Sequence, residues 1–510
     1  MGVEGSNPLP STNFETPFVN PGAATLPGCC FSHMVAAGPS SIAALLAAAL
    51  ALAPPATQPS GADRREVVDL TVGPGTVVLM DPERRVIENG AVVIRGGKIV
   101  AIEPAASVAE RYRAERHIDA GGGLILPGLV NTHGHAPMVL LRGVASDVRL
   151  QDWLEKSIFP AEKALVDPDF VYWGTLLASA EMLRSGTTTF ADMYYFEDRI
   201  AAAVERAGLR GVLGQTIIRF PAPDYPTPAA ALAATERFIA TWREHPRVVP
   251  AVAPHSPYLL DGPDLQACKR LSDRTGAPLL IHVSETYRER DQAQAAHQGR
   301  TPPQLLESLE VLGPRVLAAH CVSVTADDIE LLRRRGAACS HNPESNMKLA
   351  SGIAPVPEML AAGLTVGLGT DGPAGSNDNL DMFEAMDFAG KLAKVHKLDP
   401  TVLPAERILA MATIDGARSL GLADRIGSLE PGKEADLIVI RTGAPHLEPY
   451  YSPYAQLVYN AKGADVRHVL VAGQPLVLNG SLLTLDESEL VARARFYRDR
   501  VRQVLSAEMP

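Results

Sequence analysis

The sequence predicts an α/β chain built on a (β/α)8 TIM-like barrel, with a small β-sandwich assembled from segments near its two ends. Three observations predict it. Between about residues 127 and 420, short apolar runs alternate with amphipathic stretches rich in Ala, Leu, Arg and Glu, as repeated strand–helix units do. Several of those runs stop directly on histidine or aspartate, as expected where chemistry sits at the C-terminal ends of barrel strands. Two blocks of short β-branched strands flank the repeats. The 510 residues, with formal net charge −11, 46% hydrophobic and 21% charged, have globular composition and length for one large and one small domain. The acidic balance is diffuse, which excludes a nucleic-acid footprint.

Taken in order, residues 1–65 are predicted to lie outside the fold. Residues 1–33 are rich in Pro, Gly, Ser and Asn without hydrophobic period, a composition of disorder. Residues 42–53 form an apolar Ala/Leu run followed by Pro54-Pro55 and a polar stretch. The run is too short to span a bilayer. It suits the core of a secretory signal peptide covering residues 34–60, with Met34 as an alternative start and an exported, periplasmic protein as the result. No Lys or Arg precedes it, so an Ala/Pro-rich extension on a cytoplasmic protein is the alternative. The five cysteines (Cys29, Cys30, Cys268, Cys321 and Cys339) are odd in number and scattered, which argues against a disulfide framework and a thiolate metal cluster.

Residues 66–126 form the first sandwich part, with strands expected at 67–72, 76–80, 90–94 and 98–102, separated by Asp81-Pro82, Asn89-Gly90 and Gly96-Gly97. The barrel follows at 127–422. A buried apolar run over residues 123–130 leads into it, and later strands are expected near 187–191, 211–214, 247–252, 278–281, 315–319, 337–340 and 365–369. The second sandwich part covers 423–484, with strands at 436–440 and 466–473. A C-terminal helix completes the chain at 485–510.

The first apolar run leads to His133-Gly-His135. Alternation along a strand points both imidazoles one way, half of a metal site. Later runs end on His255, His282, His320 and Asp371. One such coincidence is cheap, because buried strands often finish on a polar residue. Together, imidazoles and a carboxylate suit zinc or another borderline divalent metal.

These residues carry a resemblance. Pro127-Gly-Leu-Val-Asn-Thr-His133-Gly-His135, His282-Val-Ser-Glu285, Ala319-His320-Cys321, Ser340-His-Asn-Pro-Glu-Ser-Asn-Met-Lys-Leu349 and Gly369-Thr-Asp371-Gly372, in this order, resemble the metal-dependent amidohydrolase superfamily. Within it the chain is similar to the branch of methylthioadenosine/S-adenosylhomocysteine deaminases, over about residues 66–480. The resemblance implies His133, His135, His282 and Asp371 as ligands of one divalent metal, with Zn2+ first and Fe2+ or Mn2+ as alternatives. Binuclear relatives carry a modified lysine at the end of the fourth strand; here residues 247–254 hold none and lead to His255. It also implies that Glu285 protonates a ring nitrogen, that Asp371 takes and returns the proton of the attacking water, and that His320 holds that water in line.

For the substrate, an adenosine thioether is expected, with deamination or dechlorination of another N-heterocycle (guanine, 8-oxoguanine, a pterin or an s-triazine) and a non-catalytic binding relative as alternatives. Residues 151–162 resemble the segment in which a glutamate accepts two ribose hydroxyls, which marks Glu162, with Trp153 as an apolar wall. His255 matches a substrate-contacting histidine, and Arg219 and Arg247 are candidates for gripping a substrate carboxylate. The expected partner is a small molecule, with neither nucleic acid nor a stable membrane span; a homo-oligomer stays open.

Overall fold

The computed structural model describes residues 63–144 and 146–508. The expectations for residues 1–62, including the signal peptide and Met34, lie outside the described residues. Among the described residues, seventeen strands follow in chain order: β1 Glu66–Val78, β2 Val86–Arg95, β3 Lys98–Pro104, β4 Tyr112–Ile118, β5 Leu124–Pro127, β6 Leu129–Asn131, β7 Thr187–Tyr194, β8 Arg210–Ile217 and β9 Val248–Pro254. Then come β10 Leu279–Val283, β11 Val316–His320, β12 Ala338–His341, β13 Thr365–Leu368, β14 Leu437–Ile440, β15 Val466–Val471, β16 Gln474–Leu478 and β17 Ser481–Leu482.

Strands β6 to β13 close into an eight-stranded parallel barrel. Residues such as Ala191, Met193, Ala251, Ala253 and Leu280 form one core, and alternate along the strands with residues of a second, larger core shared with the helices. Alanines and branched aliphatic side chains together fill the first set, as layers of side chains fill an eight-stranded barrel. The chain's two ends meet in one mixed nine-stranded sheet, where β5 pairs antiparallel with β14. Buried Arg210, the first residue of β8, is salt-bridged to Glu434 at 2.5 Å and Asp436 at 3.1 Å, which ties that sheet to the barrel foot. Among the described residues, no helix is long and apolar enough to cross a membrane.

Three expectations are corrected. The apolar run at 123–130 is not one strand: β5 belongs to the end sheet and β6 to the barrel. Gly128 makes the break, since a Cβ there would lie 2.1 Å from Thr188 Oγ1. The two strands expected at 67–72 and 76–80 are one, β1, whose register shifts around Gly75 absorb the Gly-Pro-Gly interruption. Cys321 and Cys339 are paired by a disulfide, because the consecutive parallel strands β11 and β12 lie side by side and bridge a sequence separation of 18. Cys268 is buried and free.

Candidate metal centre

All of the candidate ligands stand at one end of the barrel. His133 and His135 follow β6, which stops at Asn131, so they sit on the loop and not on the strand itself. His282 lies within β10, on the same side of the strand as interior Leu280. Asp371 follows β13 after Gly369 and Thr370. His133 Nε2 is 3.3 Å and His135 Nε2 3.4 Å from Asp371 Oδ1. Two sets of donor atoms each gather within 4.8 Å: His133, His135 and His282, and His133, His320 and Asp371. His133 belongs to both.

Non-glycine residues near the centre stand in the left-handed region, among them Ser284 at φ 54°, His320 at 75° with Cys321 at 49°, and Asp371 at 65°. Such conformations cost on the order of 1–3 kcal/mol and concentrate where function over-determines geometry. At His320 the effect is visible. Val316 and Ala318, four and two residues earlier, belong to the large outer core, yet the His320 ring faces inward. Its backbone turn interrupts the strand alternation.

The imidazoles are oriented from behind. His135 Nδ1 donates to the Met193 carbonyl at 2.7 Å, and His282 Nδ1 donates to the His255 carbonyl at 2.7 Å. A carbonyl only accepts, so both Nδ1 atoms carry a proton and each Nε2 is the ring atom turned to the centre. His133 Nε2 is buried with no hydrogen-bond partner. Burial lowers His133 to about 4 and takes His282 well below the usual imidazole range. Burial opposes a proton on His135 too, but the hydrogen bond and charge of Asp371 lift it to about 9. A buried carboxylate that draws positive charge, among imidazoles that turn their Nε2 atoms inward and two of which burial keeps neutral, fits a divalent cation.

His320 Nε2 lies 3.9 Å from both Glu285 and Asp371, and its Nδ1 is 3.1 Å from Asn346 Oδ1. Burial, then the Asp371 charge, pushes Glu285 up to about 8. Trp153, Glu162, His255, His282, Glu285, His320 and Asp371 all line one cavity. Glu162 is buried, accepts from Tyr194 Oη at 2.7 Å and Tyr195 Oη at 3.5 Å, and is pushed up to about 7 by burial. Tyr194, Tyr195 and Tyr258 were not singled out in the sequence. The tyrosine pair was findable, because Asp192-Met-Tyr-Tyr195 ends β7 as the histidines end theirs.

The structure does not bring two candidates to this cavity. Arg219 is exposed, faces Asp261 at 3.5 Å, and lines a neighbouring cavity of about 470 Å³ that shares Tyr258. Arg247 precedes β9, at the opposite end of the barrel, and its guanidinium points to the Glu205 carbonyl at 3.5 Å. In a parallel barrel, residues before a strand belong to the foot.

A closed barrel with clustered imidazoles and a buried aspartate at its strand ends defines a metal-dependent hydrolase. Residues 124–476 match the amidohydrolase family, and the chain belongs to it. It is 48% identical over 428 residues to a 5-methylthioadenosine/S-adenosylhomocysteine deaminase of Syntrophobacter fumaroxidans, covering 84% of this chain and 97% of that protein. It is 44% identical over 431 residues to a 5'-deoxyadenosine deaminase of Methanosarcina acetivorans, covering 84% and 97%. A solved adenosine deaminase from Xanthomonas campestris with bound zinc superposes with TM-score 0.84 at 39% identity, covering 86% of this chain and 100% of that one.

Proposed function

We propose that this amidohydrolase is a hydrolytic deaminase of adenosine thioethers, 5'-methylthioadenosine and S-adenosylhomocysteine, replacing the exocyclic amino group by oxygen and releasing ammonia. The observation that carries this reading is Glu162, buried on the wall of the cavity that also holds Glu285, His320 and Asp371. A carboxylate there can take two ribose hydroxyls while the ring reaches the metal centre. Relatives at 44–48% identity bearing deaminase names support it.

His133, His135, His282 and Asp371 would hold one divalent metal, for which zinc is the first choice. When bound, it makes water nucleophilic at neutral pH. Glu285, lifted to about 8 by burial and Asp371, carries a proton it can give to the ring nitrogen beside the reacting carbon. That protonation makes the carbon electrophilic. Asp371 accepts the proton lost by the attacking water, and a proton returned to the amino group lets ammonia leave. His320, between Glu285 and Asp371, orients the water.

The cavity measures about 60 Å³, below the roughly 300–1,000 Å³ of small-molecule sites. A nucleoside therefore needs more room than this conformation gives, and Trp153, Leu154, Ile158 and Phe159 line the cavity from one segment. The Cys321–Cys339 bond favours an oxidising compartment and so supports export. Ammonia release from a panel of adenosine thioethers, purines, pterins and triazines tests the assignment. Turnover of free bases or triazines without turnover of nucleosides would overturn it.

A further inference from the structure

We propose that Glu289 is the positioning residue for Glu285, which it holds in place through the backbone and without contact with substrate. This rests on the deaminase reading, in which Glu285 moves a proton. Glu289 stands in the first turn of the helix Tyr287–Ala296, whose cap Thr286 accepts from Glu289 N at 3.0 Å. An ordinary capping glutamate reaches back to the N–H of the cap residue itself. The Glu289 carboxylate bonds that Thr286 amide and reaches further. Its Oε1 accepts from Ser284 N at 3.0 Å and its Oε2 accepts from Glu285 N at 2.7 Å.

Those two donors flank the point where the chain leaves β10 and turns the Glu285 side chain into the cavity. Ser284 is buried and left-handed at φ 54°, a conformation a serine does not hold unaided. The turn is gripped from its other side as well. The Ser284 carbonyl accepts from Val322 N at 2.9 Å and Ser323 N at 3.0 Å, on the segment that follows His320. The two proton-handling residues are thus fixed against one another by a turn whose amides are held by Glu289. The carboxyl group is buried and its two oxygens each accept from one of the turn's amides, so the geometry of the turn is set from that side. Without those bonds the Glu285 N–H is orphaned and the left-handed residue relaxes, which swings the acid away from the ring nitrogen.

A double-mutant cycle on the intact metal-loaded enzyme separates this role from a merely structural one. Glu289→Ala should lower kcat for 5'-methylthioadenosine by roughly 10- to 100-fold, the scale of a misplaced catalytic group, with KM and metal content nearly unchanged when assayed well below a Tm that the lost hydrogen bonds reduce. In a Glu285→Gln background the same change should cost less than about twofold, because the group it positions is already disabled. Glu289→Gln keeps the size and one acceptor oxygen; it should show a smaller loss and the same silence beside Glu285→Gln, and it carries the test if the alanine variant does not fold. Equal losses in the two backgrounds, or loss of metal with activity, would overturn this inference alone. Normal turnover by Glu285→Gln would overturn the proton-transfer role, and the positioning role with it.

Discussion

The Asp371 carboxylate lies 3.3 Å from Nε2 of His133, although these are the last and first candidate ligands in the chain. Barrel closure explains it: β13 pairs with β6, which brings the end of the eighth strand beside the end of the first. Four strand ends then face one point, and the expected behaviour of variants follows from that geometry.

Purified protein should carry close to one equivalent of a transition metal, and His282→Ala should lose most of it. Three remaining ligands leave an incomplete site, and the His282 Nε2 lone pair, aimed inward by the His255 carbonyl, has no substitute. Metal analysis by mass spectrometry reads this out. Fully active protein without metal would refute the assignment.

Glu285→Gln should keep the metal and lose activity by about 10²- to 10⁴-fold, the usual worth of general acid–base help. Metal content and kcat measured on one preparation decide it. Normal turnover means that another group supplies the proton to the ring.

Glu162 should separate nucleosides from free bases. Hydrogen bonds to a charged group contribute about 1.5–3 kcal/mol each, so Glu162→Ala should lower kcat/KM for a ribosylated substrate by roughly one to three orders of magnitude. A free base offers no hydroxyl pair and should be nearly indifferent. Equal losses on both would assign Glu162 to the fold.

The same residue sets a pH dependence. Burial raises Glu162 to about 7, so it is protonated below that pH and a full acceptor above it. KM for a nucleoside should therefore rise as pH falls from 8 to 6, while KM for a free base stays flat. Initial rates at several substrate concentrations across that range check the sign. A flat nucleoside KM would detach Glu162 from the sugar.

Arg219→Ala should weaken turnover of S-adenosylhomocysteine more than that of methylthioadenosine, which has no carboxylate; its solvent exposure limits the effect to within about tenfold. Arg247→Ala should change neither substrate, since it stands at the far end of the barrel. Steady-state kinetics on the two thioethers compare them directly. Arg247 sensitivity confined to the carboxylate-bearing substrate would contradict its placement.

The sequence by itself determined the barrel and the donor set. An apolar strand that stops on a histidine is a local pattern, and in a parallel barrel every such stop lies on the same face, so His133, His135, His282, His320 and Asp371 were legible together. Arg247 was misplaced, expected at the substrate although it precedes β9 and stands at the foot. Tertiary structure decided the rest. The apolar run at 123–130 divides at Gly128 because Thr188, from another strand, fills the space a side chain would need. Cys321 meets Cys339, Tyr194 meets Glu162, and Asn346 meets His320 through the closure of neighbouring strands and loops. The inward turn of His320 depends on a backbone angle that periodicity does not encode. Local patterns fix which residues end a strand; only the packing of many strands fixes which of those ends touch.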